Sequence, residues 1–163
     1  MLEVFSQCAD LPLRLLVAGH DEPAPFLAHA EKLRIADRVQ FFGPAADVRF
    51  FYAAADVLAA PSLEDSFNLP VLEAMSCGLP VVVSARTGIS DWLTSAQDSL
   101  VLQDPENAQE LRSAIRTLAL DPALRGALAE NALQTAKKFS WDTHAGELRK
   151  LLVKAAEIKS RRK

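Results

Sequence analysis

Two acidic side chains, Asp65 and Glu73, lie eight positions apart in the most ligand-like segment of the chain, residues 61–78. Asp65 stands among turn-forming residues. Glu73 falls within a run of good helix formers, residues 69–75, that has Pro70 near its start, where a missing N–H costs least. The spacing therefore predicts one carboxylate on a loop and the other about one turn into a helix.

The backbone amides between these two carboxylates suit an anion. Four N–H groups are predicted at or before the first helical turn, those of Ser66, Phe67, Asn68 and Leu69. Such donors lack partners within the helix, and the helix dipole favours a negative group beside them. The pattern indicates a nucleotide sugar, with phosphates at the amides and hydroxyls at a carboxylate. The alternatives are a capping role for Asp65 or Asn68 and a solvated position for Glu73.

Composition limits the classes of protein that fit this chain. With 163 residues, half of them apolar, one domain over residues 1–163 is expected. The net charge of −3 gives no indication of nucleic-acid binding. The two cysteines, Cys8 and Cys77, and three histidines form no metal-binding pattern, and they fit a reducing cytoplasm. Cys77 is expected to be an inert core residue.

The basic residues at the end of the chain leave two interpretations open. The apolar runs are too short to cross a membrane, so a soluble protein is expected. Residues 159–163 read KSRRK, with Lys150 and Lys154 on the turns before them. This end either contacts an anionic membrane peripherally, at its inner face, or is a solvated helix terminus.

Short apolar runs alternate with amphipathic stretches along the chain. The runs predict strands at residues 13–18, 39–42, 57–60, 80–84 and 100–102. Continuous apolar strands separated by helices predict a Rossmann-like α/β fold, a parallel sheet with helices on both faces. Ligands bind such sheets beyond the carboxyl ends of the strands. Gly43, Pro44 and the Gly19-His20 turn are predicted at the same edge as residues 61–78, where His20 either ends a strand or faces a ligand.

Three predictions concern the helices. Asn107 with Glu110 predicts a capping box. Tyr52 is expected on the core-facing side of the helix that Asp47 caps. A last helix begins near Ser140, and its predicted inward face consists of Ala145, Leu148, Leu152 and Ala155.

With these elements placed, the chain resembles the C-terminal, donor-binding half of a family 4 glycosyltransferase, a retaining enzyme of the GT-B architecture. The resemblance covers nearly the whole sequence, and its central block, residues 64–84, is the most specific part. The other matching segments are VAGHDEPAPF, VQFFGPAADV, FYAAADVLAAPS, GIS, LVLQDPEN and FSWD.

The resemblance implies a role for each residue of the predicted site. Asp65 would lie near the donor sugar at the reacting centre, and Glu73 would bind the ribose hydroxyls. The amides around residues 66–69 would hold the diphosphate, and Gly43 and Pro44 would lie near the base. The family uses no metal and no separate cofactor, because protein donors neutralise the leaving diphosphate.

The sequence departs from the family pattern at three positions near the reacting groups. Asp65 replaces the usual Glu, which draws the carboxylate back by about 1.5 Å. Ser66 and Asn68 stand where glycine is common, and glycine lets a backbone approach a phosphate closely.

A fourth departure concerns the start of the domain. The family's donor domain opens with a strand and a loop whose Arg and Lys grip the diphosphate, whereas residues 1–5 match the helix that follows. The resemblance thus predicts a sheet interrupted at its first strand and a fragment of a longer transferase that is inactive alone. The acceptor would then be bound by an N-terminal domain or a partner chain. The alternative function is a non-catalytic module that binds a nucleotide or pairs with another chain.

Overall fold

The computed structural model describes residues 1–19, 22–45 and 47–160. Its strands are β1 (Leu15–Ala18), β2 (Val39–Phe42), β3 (Leu58–Ala60), β4 (Val81–Ser84) and β5 (Leu100–Leu102). Its helices are α1 (Leu2–Ser6), α2 (Ala24–Lys32), α3 (Arg49–Ala54), α4 (Leu69–Ser76), α5 (Ala108–Leu120), α6 (Pro122–Ala136) and α7 (Trp141–Ser160). Two short 3₁₀ segments lie at Ala36–Arg38 and Gly88–Trp92.

The strands form two parallel ladders. β1 pairs with β2, and β3, β4 and β5 follow in that order in a second sheet. Within the described ranges no ladder joins β1 to β3. This division matches the interrupted sheet predicted from the resemblance, and the α/β fold with parallel strands is confirmed.

Strand β4 shows that helices cover both faces of the larger sheet. All four of its residues are buried. Val81 and Val83 belong to one apolar cluster with residues of α4 and α6, whereas Val82 belongs to another with residues of α5 and α6. Because successive strand side chains point to opposite faces, a strand buried on both sides must be continuously apolar, as β4 is.

Helix α1 packs against both ladders. Val4 packs in the cluster that contains Val82. The next residue, Phe5, packs instead in a third cluster with Ala30, Ile35 and Val39, beside β1 and β2. The smaller ladder therefore has its own small core, which meets the larger one at α1.

Three predictions about helices and the core need correction. Asn107 does cap α5, accepting from the amides of Gln109 and Glu110, but the Glu110 carboxylate bonds the amides of Gln103 and Asp104 instead of completing a capping box. Cys77 is exposed, not buried in the core.

The predicted inward face of the last helix is also wrong. The side chains of α7 are exposed at the four positions expected to face the core, Ala145, Leu148, Leu152 and Ala155. The helical spacing indicated an amphipathic helix, and spacing alone does not say whether a neighbour covers the apolar side.

Candidate functional site

The loop of the candidate site connects the end of β3 to the start of α4. It lies beyond the carboxyl end of β3, as predicted, and its Asp65 forms an isolated parallel bridge with Thr87, which follows β4. The Asp65 amide donates to the Arg86 carbonyl over 3.4 Å, and the Gly88 amide donates to the Asp65 carbonyl over 3.2 Å. Two segments that leave neighbouring strands are thus fastened together at the edge where such folds bind ligands.

The Asp65 carboxylate shapes this loop. Its Oδ1 accepts hydrogen bonds from the amides of Phe67, at 2.9 Å, and Asn68, at 2.6 Å. Two of the four amides predicted for the diphosphate are therefore bonded to Asp65. For the other two, those of Ser66 and Leu69, no acceptor is found among the described residues. The capping alternative for Asp65 thus has a structural basis, and the half-buried carboxylate orders the start of α4.

Asn68 adopts the left-handed conformation, with φ 71° and ψ 66°. Glycine takes this conformation without strain, and asparagine is one of the few other residues that tolerate it. The side chain of Asn68 is buried, makes no cap bond to α4 and donates to the Ser62 hydroxyl over 3.2 Å. The departure from glycine at this position is therefore compatible with the same backbone shape.

We expect Asn68→Ala to destabilise the fold by about 1–2 kcal/mol, because alanine is strained at this φ. The variant also loses the bond to Ser62. Asn68→Gly, which restores an unstrained left-handed residue, is the matched control and should be far less destabilising. Urea unfolding of both variants measures the difference, and equal losses would show that backbone strain is not the cause.

Gly88 begins the 3₁₀ segment after β4, and the sequence pattern gave it no role in the site. A Cβ at this position would overlap the carbonyl oxygen of Ser66 and would lie 3.1 Å from its carbonyl carbon. Only glycine allows the two segments to approach this closely. A glycine that follows a buried strand at the ligand-binding edge is the signal that could have identified it.

Phe67 fixes the loop through its side chain and its carbonyl group. Its ring packs edge-on against Phe139, with the centroids 5.8 Å apart, and Phe139 packs in turn against Trp92 at 5.4 Å. The Phe67 carbonyl also accepts from the Ile89 amide at 3.1 Å. Contacts of both the side chain and the backbone of Phe67 therefore hold the loop in place.

Glu73 lies one turn into α4, as predicted, and is exposed. Its Oε2 accepts a hydrogen bond from the Tyr52 hydroxyl on α3 at 2.9 Å. Burial and this contact with a carboxylate raise the pKa of Tyr52 well above its ordinary value. The hydroxyl therefore stays protonated, and remains a donor, throughout the neutral pH range.

A cleft of about 510 Å³ lies between α3 and α4. Arg49 and Tyr52 contribute to one wall, and Glu73, Ser76 and Cys77 contribute to the other. The volume is in the range of small-molecule sites. Glu73 lines this cleft, whereas Asp65 and its loop do not. The two predicted carboxylates therefore do not share one cavity.

Gly43 and Pro44 follow the carboxyl end of β2 and are exposed. No atom lies within 4 Å of a Cβ built on Gly43, so packing does not demand glycine there. His20 lies outside the described residues, as do the last three residues of the basic C-terminal end.

The described residues offer neither a metal site nor a membrane-spanning helix. No group of three or more histidine, cysteine, aspartate or glutamate side chains there is arranged to hold a metal ion. None of the described helices has the length and apolar character needed to cross a membrane.

Parallel strands, helices on both faces and a helix start at the strand ends define a Rossmann-like α/β domain, the architecture of each half of a GT-B glycosyltransferase. The chain belongs to the glycosyl transferases group 1 family, whose model matches residues 1–135. It is 36% identical over 144 residues to the lipopolysaccharide glucosyltransferase WaaG of Escherichia coli, a match that covers 88% of this chain and 37% of that protein.

Solved glycosyltransferase structures also superpose on most of this chain. A crystal structure of WaaG superposes with a TM-score of 0.77 at 32% identity, covering 85% of this chain and 38% of that one. Anabaena HepE in complex with UDP superposes with a TM-score of 0.83 at 25% identity, covering 94% and 44%. The chain therefore spans less than half the length of these relatives.

Proposed function

We propose that this chain is the donor-binding half of a retaining glycosyltransferase and that its ligand is a nucleotide-diphosphate sugar. In the transfer, the bond between the anomeric carbon and the diphosphate oxygen breaks, and the nucleoside diphosphate leaves with the electron pair. A bond from the acceptor oxygen to the same carbon forms, and the proton of the acceptor hydroxyl passes to the departing diphosphate. The anomeric configuration is retained.

The observation that carries this proposal is the paired loop at the carboxyl ends of β3 and β4. It presents the start of α4, the Asp65 carboxylate and, one turn further on, the exposed Glu73. Membership of the group 1 family and the UDP complex of HepE support a nucleotide sugar as the donor. Glu73 is assigned to the ribose hydroxyls, and Gly43 and Pro44 are assigned to the base. His20, which lies outside the described residues, is assigned to donor binding from the sequence alone.

The diphosphate is assigned to the amides of residues 66–69. Because Asp65 already bonds two of them, a phosphate would bind the amides of Ser66 and Leu69 or displace the Asp65 carboxylate towards the sugar. Protein donors, not a metal ion or a separate cofactor, would neutralise the diphosphate, as the resemblance implies.

The acceptor half is proposed to come from elsewhere in a longer polypeptide or from a partner chain. Without an acceptor half we expect the chain to bind the donor but not to transfer the sugar. The setting proposed is cytoplasmic. Peripheral membrane contact through Lys150, Lys154 and the residues after them is the accompanying hypothesis.

A second candidate function is a non-catalytic nucleotide-binding or partner-pairing module. The specific observation in its favour is that the Asp65 carboxylate caps the loop amides. A carboxylate used in this way has a structural role that requires no reaction.

The test of donor binding is calorimetric titration of the whole chain with UDP, GDP and ADP. We expect one of them to bind, and Glu73→Ala to weaken that binding about tenfold or more, because charged hydrogen bonds to the ribose are lost. Glu130→Ala, which removes an exposed carboxylate from α6, is the matched control and should bind as the unchanged chain does. Failure of all three nucleotides to bind at millimolar concentration would refute the proposed function.

A further inference from the structure

We infer that Tyr52 is a positioning residue, holding the Glu73 carboxylate in the orientation in which it accepts hydrogen bonds from the ribose hydroxyls. This inference rests on the proposed function, since it deepens the role assigned to Glu73. Its basis is the contact of 2.9 Å between the Tyr52 hydroxyl and Glu73 Oε2, which joins α3 to α4.

Glu73 needs such a partner because it is an exposed, flexible side chain. Freezing a glutamate side chain in one orientation costs rotamer entropy. Tyr52 is the group seen to bond its carboxylate among the described residues. A side chain that is already oriented loses less entropy when a ligand binds.

The Tyr52 ring is itself fixed. It is half-buried and packs against the apolar cluster that contains Val71, Met75 and Val81, below α4. Its hydroxyl emerges at the wall of the cleft, which leaves room beside Glu73 for a hydroxyl-bearing group. The packed ring thus fixes the position of the hydroxyl that bonds the exposed Glu73 carboxylate.

The hydrogen-bonding capacity of the pair suits a ribose. Tyr52 bonds one carboxylate oxygen, Oε2, and the described residues place no donor on Oε1. A carboxylate has about four lone-pair sites on its two oxygens, so hydroxyl donors can still bind. The high pKa of Tyr52 keeps it the donor and Glu73 the acceptor.

The first part of the test uses the fact that Tyr52 is the only tyrosine of the chain. The near-ultraviolet absorbance of tyrosinate therefore reports on this residue alone. We expect its titration midpoint to lie above the ordinary value of about 10 and to fall in Glu73→Gln. A midpoint that is the same in both proteins would overturn the inference.

The sign of the accompanying effect on stability follows from the raised pKa. The stabilisation by protonated Tyr52 is fully present below its unfolded-state pKa of about 10 and is lost as the pH rises towards the folded-state value. Tyr52→Phe should therefore show a smaller loss of stability in alkaline solution than the unchanged chain.

The second part compares ribose with deoxyribose. The tightest-binding diphosphate among UDP, GDP and ADP is titrated beside its 2′-deoxy and 3′-deoxy forms. We expect Tyr52→Phe to weaken binding of the ribose form about fivefold, the loss of one hydrogen bond, and to bring the affinities of the ribose and deoxy forms closer together. Glu130→Ala, which changes an exposed residue of α6 that does not line the cleft, should leave the ratio unchanged.

The outcomes separate the two proposals. If a nucleotide binds and Tyr52→Phe keeps the ribose-to-deoxyribose ratio of the unchanged chain, the positioning role is wrong and the proposed function stands. If no nucleotide binds the unchanged chain, both are wrong. A stability change in Tyr52→Phe with no change in that ratio would indicate a purely structural role and would also overturn the inference.

Discussion

Replacing Gly88 by alanine is expected to weaken nucleotide binding at least about tenfold and to destabilise the protein by about 1–3 kcal/mol. The new methyl group would overlap the Ser66 carbonyl oxygen and would lie 3.1 Å from the carbonyl carbon. These are backbone atoms, which cannot move aside as the end of a flexible side chain would.

The expected displacement would reach the candidate site directly. Moving Ser66 breaks the bond from the Gly88 amide to the Asp65 carbonyl and disturbs the bond from Ile89 to Phe67. The amides proposed for the diphosphate would then lose their arrangement, although none of them has been replaced.

Nucleotide titration and thermal unfolding of Gly88→Ala measure both effects. Gly126→Ala is the control, because a Cβ on Gly126 in α6 would meet no atom within 4 Å. Alanine is the better helix former, so this control should be neutral or more stable by up to about 1 kcal/mol. Unchanged affinity in Gly88→Ala would show that the close packing is unrelated to the site.

Asp65 can be tested by separating its charge from its capping bonds. Asp65→Ala removes the acceptor of two amides and should destabilise the start of α4 by about 0.5–2 kcal/mol. Asp65→Asn keeps an acceptor oxygen and should change stability little. We expect both variants to lose about tenfold or more in affinity for a nucleotide sugar relative to its nucleoside diphosphate, because the carboxylate proposed to face the sugar is absent.

The measurement is the ratio of the dissociation constants of UDP and UDP-glucose, or of the pair that carries the base found to bind. If Asp65→Asn retains both the stability and the ratio of the unchanged chain, Asp65 only caps the helix. The result would then favour the non-catalytic module over the transferase half. If the nucleotide sugar binds more weakly relative to the nucleoside diphosphate while stability is unchanged, the negative charge of Asp65 acts on the sugar.

Local patterns predicted the framework of this site well. The apolar run at residues 80–84 and Pro70 at the start of a helix placed β4 and α4 to within a residue or two, because a strand buried on both faces and a helix start each have a strong local signal. Asn68 was recognised as a departure from glycine, and its left-handed backbone now explains why asparagine fits.

Contacts between distant segments were not predictable in this way. Tyr52 was assigned to the core from helical spacing, which is true of its ring, but its hydroxyl partner lies 21 residues away on another helix. The proximity of Gly88 to Ser66 likewise depends on two loops that leave different strands. For α7, spacing identified an apolar side, and no pattern within the helix states what covers it.

The separation of β1 and β2 from the other strands would allow a bound nucleotide to stabilise the fold. Gly43 and Pro44 follow the smaller ladder, whereas Asp65 and Glu73 belong to the larger one. A ligand that touches both would link two sets of strands between which the described part of the chain forms no ladder. A ligand that binds only when both sets of strands are folded raises the free energy of local opening. Donor binding would therefore stabilise β1 and β2 against local unfolding.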